Sequence, residues 1–338
     1  MSRTLMLDQV HALSKAALIG AGTLEESASI VADSIVDAEA EGIRAVELAY
    51  LPYYCQHVHV GKVSGHAVPK VKQTGKAALM ADARNGFCHP AYVEGEKKFY
   101  TLARNCGIAG FGIQHSYASG VIGWFVDRIA KAGLIGFCFT NASASMAPAG
   151  GNRPLFGTNP IAFGVPRDGK PPLVIDQSST ATARVNIAAK RDAGEPIPEG
   201  WGLDARGQPC TDPKTVLEEG SIAPSGGYKG GALALLVEIM AAGLTGANWS
   251  FEASDLGNDV GGPPDIGQFF MAIDPTAFGG ANFSTRIETL FQAMLDQDGV
   301  RLPGDRRHAH RLKAAREGVV VPDNLFQTLR DYARGEAA

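Results

Sequence analysis

The 338-residue chain nowhere contains G-x-G-x-x-G, the glycine spacing with which a strand–turn–helix unit cradles a dinucleotide pyrophosphate. The nearest imitation, Ile19-Gly20-Ala21-Gly22-Thr23-Leu24, has no strand before it, because Val10, Leu13, Ala17 and Leu18 recur at helical spacing. Gly20 is expected to stop that helix. Thr23 with Glu26 predicts a capping box for the next one, on which Ile30, Val31, Ile35 and Ala38 share a face. The start of the chain therefore reads as a helical hairpin, and a Rossmann-type cofactor site is excluded.

Other absences narrow the class further. The five cysteines (Cys55, Cys88, Cys106, Cys138, Cys210) form no C-x-x-C pair and are odd in number, which points to reduced thiols and not to a disulfide framework. His57 with His59, and His308 with His310, have no cysteine at ligand spacing, so no metal site is expected. No apolar run reaches the roughly 18–20 residues that span a bilayer; Gly231 to Leu244 comes nearest and is interrupted by Glu238. A formal net charge of -4 argues against nucleic acid or an anionic membrane as partner. Met1-Ser2-Arg3 runs straight into an amphipathic segment, so no secretory signal and a cytoplasmic location are expected.

What is present is an ordinary globular composition, 45% hydrophobic and 20% charged, in a chain long enough for two or three lobes. Strand patterns around residues 77–83, 111–113, 134–140, 160–165, 173–176 and 268–273 alternate with helix patterns at 90–105, 121–131, 230–244 and 284–296. Asp323 is expected to cap a last helix from Asn324 to Arg334. The polar stretch from Asp192 to Pro224 shows little signal of either kind. The mixed order predicts an α/β fold around a central sheet.

The most informative stretch is Asn152 to Pro166, N-R-P-L-F-G-T-N-P-I-A-F-G-V-P. It places the short polar side chains of Thr158 and Asn159 between Gly157 and Pro160, ahead of a buried strand. Either this is a structural loop or a ligand satisfies those polar groups. The block resembles the signature of the type 2 malate/L-lactate dehydrogenase family of NAD(P)H oxidoreductases. The likeness continues through Gly226-Gly227-Tyr228-Lys229-Gly230, Ala242-Gly243-Leu244-Thr245-Gly246 and Arg301-Leu302-Pro303-Gly304-Asp305-Arg306-Arg307. Within the family it is greatest to reductases of cyclic imino acids, the Δ1-piperideine-2-carboxylate and Δ1-pyrroline-2-carboxylate reductases.

The resemblance implies a non-Rossmann, mixed-sheet cofactor domain with a discontinuous helical domain built from both chain ends, in a homodimer. The expected divisions are 1–75 with 284–338, 76–115, and 116–283. It also implies cofactor contacts. Asp176, Gln177, Ser178, Ser179 and Thr180 form a polar turn whose hydroxyls and N–H groups suit ribose and phosphate oxygens. Lys229 precedes a helix in a glycine-rich turn where an anion is favoured. Arg301, Arg306 and Arg307 flank Leu302, Pro303, Gly304 and Asp305, and clustered guanidiniums favour NADP over NAD. Ser119, Gly120, Thr158 and Asn159 complete the expected cofactor set.

The acid–base side departs from the family. The family motif G-x-x-S-H-G-x-x-R-x-P matches Gly42 to Pro52, with Ala45 for the Ser, Val46 for the His and Tyr50 for the Arg. A second family His matches Ala118, and the Asp of the imino-acid reductases' relay matches Asn186. Candidate substitutes are Tyr50 and Tyr117 as hydroxyl donors, His115, and Arg44, Arg153 or Arg184 for a carboxylate. The alternative for Arg44 and Glu47 is a solvated helix face, and for His115 a loop histidine. Three functions follow. The first is reduction of a small cyclic imino acid, or alternatively of a 2-oxo acid, and it is favoured because an iminium needs no acid on nitrogen at hydride transfer. The others are a cofactor-binding protein without turnover and a different reaction on the same scaffold.

Overall fold

The computed structural model describes residues 1–43 and 46–337. The chain opens with strand β1 (Ser2–Leu5) and helices α1 (Leu7–Gly20), α2 (Glu25–Ala40) and α3 (Leu51–His59). Then come β2 (Lys70–Gly75), β3 (Ala78–Gly86), α4 (Cys88–Cys106), β4 (Ile108–Ser116), α5 (Gly123–Lys131), β5 (Ile135–Thr140), β6 (Ile161–Val165) and β7 (Leu173–Gln177). A small insertion follows, with α6 (Arg184–Asp192), β8 (Gly202–Leu203), β9 (Pro209–Cys210), α7 (Pro213–Glu218) and β10 (Ser221–Ile222). The remainder is α8 (Tyr228–Glu238), β11 (Ile266–Ile273), α9 (Thr276–Gly279), α10 (Phe283–Leu295), α11 (Asp305–Glu317), β12 (Val319–Pro322) and α12 (Asp323–Arg334).

Seven strands form the central sheet in the order β2-β3-β4-β11-β5-β6-β7. Only β3 and β4, joined through α4, run parallel, so the sheet is mixed. Its core is aromatic: Tyr92 and Phe99 from α4, Phe111 from β4, Phe125 from α5 and Phe270 from β11 are all buried. Each such ring contributes roughly 1.5–3 kcal/mol by leaving water. Strands from 76–115 and from 116–283 share this sheet, so no sheet boundary separates those two expected segments.

A second core joins the chain ends. Val10, Ala17 and Leu18 of α1 pack with Val31 and Ile35 of α2, Leu51 and Tyr54 of α3, and Leu329 and Tyr332 of α12. Antiparallel pairing of β1 with β12, Leu5 opposite Val319, ties the termini together. Helix α10 behaves differently: Phe291 packs on Val165 and Leu173 of the sheet, so this part of 284–338 lies against β6 and β7.

Several local expectations are corrected. The second helix begins at Glu25 after Leu24, and the Thr23 hydroxyl finds no partner among the described residues, so no capping box forms there. The chain enters this helix with the Leu24 N–H donating to the Gly65 carbonyl instead. Asp323 is the first residue of α12, not its cap, and its carboxylate accepts from Arg3 Nε at 2.8 Å across the β1–β12 ribbon. Gly20 does end α1, but for a packing reason: a Cβ there would sit 2.0 Å from the Tyr332 carbonyl oxygen. The stretch 192–224, read as nearly featureless, folds into the mini-sheet β10-β8-β9 and α7 around Ile187, Ile197, Val216 and Ile222. The helix expected over 230–244 winds on past Glu238 as a π-turn, Ile239–Gly243. Among the described residues, no helix is long and apolar enough to cross a membrane.

Candidate active site

A cleft of about 360 Å³ opens where the ends of β4 and β5 meet the start of β11. That is within the range of small-molecule sites, about 300–1,000 Å³. Hydroxyls tie this end of the sheet together. Ser116 Oγ donates to Gln268 Oε1 at 2.6 Å, and Thr140 Oγ1 lies 3.2 Å from both the Gly267 carbonyl and Ser119 Oγ. Helix α3 and the turn before it supply Val46, Tyr50, Tyr53 and Tyr54 to one wall. Tyr117 to Gly120 form the floor, Thr158 and Ser145 a second wall, and Arg184 and Arg191 of α6 reach in from the third.

Tyr117 is the best-placed polar group of the floor. It is buried, and three rings hold it edge-on: Tyr54 at 5.7 Å, Phe87 at 5.6 Å and His57 at 5.6 Å between centroids. Its hydroxyl is hydrogen-bonded to His57 Nδ1. On the far side of the imidazole, Nε2 lies 3.1 Å from the Asn258 carbonyl oxygen and 3.6 Å from Asp259 Oδ1. A carbonyl only accepts, so Nε2 carries the hydrogen and Nδ1 accepts from the Tyr117 hydroxyl. Burial and the nearby Lys62 ammonium push the His57 pKa below its usual value, against the Asn258 carbonyl, Asp259 and Asp255. Burial pushes the Tyr117 phenol well above its own.

Lys62 fixes the loop behind this pair. Its side chain is buried, and Nζ donates to the carbonyls of Asp255, Asn258 and Val260 at 2.6, 2.8 and 2.9 Å. The same loop lends Asp255, Leu256 and Gly257 to the cleft, and Arg184 Nη2 stands 4.0 Å from the Asp255 carboxylate across the mouth.

Of the residues singled out in the sequence, Tyr50, Tyr117, Ser119, Gly120, Thr158 and Arg184 line this cleft. His115 does not: at φ 50° it turns to Asp82, 3.1 Å away, on a partly exposed edge. Asn186 donates from Nδ2 to Thr182 Oγ1 at 3.0 Å, outside the cleft lining, and Arg153 is exposed elsewhere. Arg44, with Ala45, lies outside the described residues. Glu47 is not on a solvated helix face. It is fully buried, with Oε1 accepting from the Val121 N–H at 2.6 Å, and burial raises its pKa to about 8.

The remaining expected cofactor residues are not among those that line the cleft. Asn159 is buried and donates to the Ala234 carbonyl at 3.0 Å and Glu238 Oε2 at 2.6 Å, anchoring α8. The hydroxyls of Ser178, Ser179 and Thr180 are engaged within their own turn and its neighbours, at Thr180 O, Asn159 O and Thr182 O, while Gln177 is exposed. Asp176 accepts from the Gly123 N–H at 2.8 Å at the start of α5 and is charge-coupled to Arg307. Lys229 is exposed in the first turn of α8, after Gly226 and Gly227 at φ 63° and 67°. Arg301, Pro303, Gly304, Arg306 and Arg307 enclose an open concavity over buried Leu302, with the Asp305 carboxylate accepting from the Leu302 N–H at 2.9 Å.

Sequence reasoning missed His57 as a site residue. The signal was available: Tyr50, Tyr54 and His57 are spaced i, i+4, i+7 and share one helix face. Lys62 and the 255–260 loop had no such signal, because their contact spans almost 200 residues of chain.

The sequence pattern of the malate/L-lactate dehydrogenase family matches residues 5–330. The chain belongs to that family. It is 43% identical to a (2R)-3-sulfolactate dehydrogenase (NADP(+)) from Chromohalobacter salexigens, covering 98% of this chain and 99% of the relative. It is 39% identical to a Δ1-pyrroline-2-carboxylate reductase from Ancylobacter novellus, over 96% of each chain. The crystal structure of Δ1-piperideine-2-carboxylate reductase from Pseudomonas syringae superposes with a TM-score of 0.93 at 34% identity, covering 98% of this chain and 99% of that one. As a malate/L-lactate dehydrogenase family member the protein is an oxidoreductase, and its cleft carries valine at position 46 and tyrosine at position 50.

Proposed function

We propose that this enzyme uses a reduced nicotinamide dinucleotide to convert a small cyclic imino acid of the Δ1-pyrroline- or Δ1-piperideine-2-carboxylate type to the amino acid. The carrying observation is the composition of the cleft. Val46, Ala118 and the rings of Tyr50, Tyr53 and Tyr54 offer an apolar bed for a small ring, and Arg184 at its mouth offers a guanidinium to the carboxylate. The names of several relatives support the same substrate class. A dinucleotide fits the residues present: Ser145 Oγ, in the cleft wall, is buried with no hydrogen-bond partner among the described residues, a group that a polar ligand would satisfy. The dinucleotide would be held by Ser119, Gly120, Thr158 and Ser145, and would supply the hydride. The arginine turn at 301–307 is read as the seat of a phosphate, which favours NADP over NAD.

A second reading rests on one observation. Arg184 and Arg191 both reach the cleft from α6, two helical turns apart, which is enough cation for a substrate with two anionic groups. The relative named for (2R)-3-sulfolactate makes this a 2-oxo/2-hydroxy acid alternative. NADPH oxidation with both cyclic imines, pyruvate, oxaloacetate and 3-sulfopyruvate separates the readings. Turnover confined to the imines supports the first, and turnover confined to dianions, lost in Arg191→Ala, supports the second.

The enzyme is further proposed to be a homodimer. Helix α8 and its continuation leave Leu235, Leu236, Ile239 and Leu244 about half exposed, an apolar surface suited to a second copy. Light scattering of the purified protein tests this. The free thiols, with Cys55, Cys88 and Cys138 buried, suit the cytoplasm.

A further inference from the structure

We infer that Tyr117 is the proton donor of this active site and that His57, acting through it, is the positioning residue that loads and unloads that proton. This rests on the substrate class proposed above but concerns the chain's own acid–base pair. The phenol lies in the cleft floor, its ring is clamped from three sides, and its hydroxyl bonds to an imidazole that no solvent reaches directly. The imidazole's other nitrogen faces the Asn258 carbonyl, with Asp259 beyond it at a half-exposed site. Lys62 pins the loop that carries both. A phenol alone is a poor acid at neutral pH, and a buried one poorer still; an imidazole behind it shares the proton and removes that obstacle.

The step balances as follows. The Tyr117 hydroxyl passes its proton to the nitrogen of the unprotonated imine, giving before hydride transfer the iminium that accepts it, or to the oxygen of C=O in a keto acid. His57, protonated on both nitrogens, returns its Nδ1 proton to the phenolate. Two electrons and the hydrogen on carbon come from the reduced dinucleotide, and the π-bond pair ends on the heteroatom. The neutral His57 left behind, Nε2–H on the Asn258 carbonyl, is the tautomer the structure shows. It recovers its proton from cleft water by way of the Tyr117 hydroxyl after product leaves. The reverse oxidation starts from that neutral form, with Tyr117 accepting the substrate proton as it donates its own to Nδ1.

Groups facing the pair are Tyr50 at the cap of α3, Tyr53, Tyr54 and Cys55 within it, Lys62 after it, and Asp255 and Asp259 from the loop. None replaces the Tyr117–Nδ1 bond. In Tyr117→Phe, kcat for reduction should fall at least 100-fold with dinucleotide affinity within about threefold. His57→Gln should abolish the imidazole limb of the pH profile, the limb on which reduction slows and oxidation quickens as pH rises. A second readout needs no turnover. In ¹⁵N-histidine NMR of the free protein, His57 should titrate as an Nε2–H tautomer, and Tyr117→Phe should shift its Nδ1 resonance and its pKa. Tyr117→Phe with kcat within threefold and an unchanged pH profile overturns the proposal, as does an Nδ1 resonance indifferent to the substitution. A wild type that turns over no compound in the panel would instead sink the substrate reading, leaving the pair to be judged by NMR.

Discussion

Glu47 converts the buried geometry of the cleft into a measurable pH dependence. Its carboxyl is fully buried, Oε1 accepts from the Val121 N–H, and Oε2 has no partner among the described residues. Burial raises its pKa from 4.5 to about 8, the Val121 N–H pulling down and the charges of Glu39 and Asp176 pushing up. The folded protein therefore keeps this proton through neutral pH, whereas the unfolded chain releases it near 4.5. With fewer protons on the unfolded state, stability falls as pH rises from about 4.5 to about 8. His89 masks the lower part of that range. Burial holds its imidazole neutral down to about 3, so its contribution grows with pH and is complete only above 6.5. Between 6.5 and 8 Glu47 acts alone of the two. That interval, at about 1.4 kcal/mol per pH unit, corresponds to a loss of ~2 kcal/mol. Glu47→Gln keeps an amide oxygen for the Val121 N–H and has nothing to ionise. Denaturant unfolding of both proteins at pH 6.5 and 8.5 should show the wild type losing ~2 kcal/mol relative to the variant over the interval. Two parallel pH dependences would refute a neutral, buried Glu47.

Lys62→Met should leave the carbonyls of Asp255, Asn258 and Val260 without their shared donor and lower stability by about 2–4 kcal/mol. Limited proteolysis should then cut between residues 255 and 260, and an intact loop in the folded variant would contradict the role given to Lys62. Gly120→Ala places a Cβ 2.0 Å from Glu47 Oε1 at φ 56°, so a loss of about 3 kcal/mol is expected in unfolding experiments. In a Glu47→Gly background the loss should shrink to the backbone strain alone, about 1–2 kcal/mol.

The sheet was legible because its strands are what strands look like: short apolar runs such as Ile135–Thr140 and Leu173–Gln177, closed by polar or glycine-rich turns. The first helices were legible from spacing, and the likeness of the glycine and arginine turns carried the family. The insertion over 192–224 was opaque because β8, β9 and β10 are two residues each, too short for any period to register. Glu47 was misread for a different reason. Three residues from Arg44 it mimics a solvated helical pair, and only Val121 in the turn before α5, 74 residues away, reveals the N–H that draws it inward. The turn 176–180 is a subtler case: its hydroxyls suited a ligand by type, yet they are engaged with neighbouring backbone, as only the register of β6 against β7 could show.

The cleft also decides between the two phenols that sequence alone left level. Tyr50 and Tyr117 both line the cleft. Burial raises the pKa of both, so neither ionises unaided near neutral pH. A proton leaving such a phenol must be replaced within the same hydrogen-bonded unit, or a phenolate is stranded in a low-dielectric site. Among the described residues Tyr117 has that unit, through His57, whereas Tyr50 packs on Tyr53 at 5.4 Å and has no side-chain hydrogen-bond partner there. On the proposed mechanism Tyr50 is therefore assigned to the cleft wall, where it would shape the substrate's ring. Tyr50→Phe should raise KM severalfold and leave the pH profile of kcat where it was, while Tyr117→Phe moves kcat. Steady-state kinetics of the two variants across pH 5.5 to 9 reads the difference directly. A collapse of kcat in Tyr50→Phe, with Tyr117→Phe active, would reverse the roles of the two phenols and leave His57 without a catalytic part.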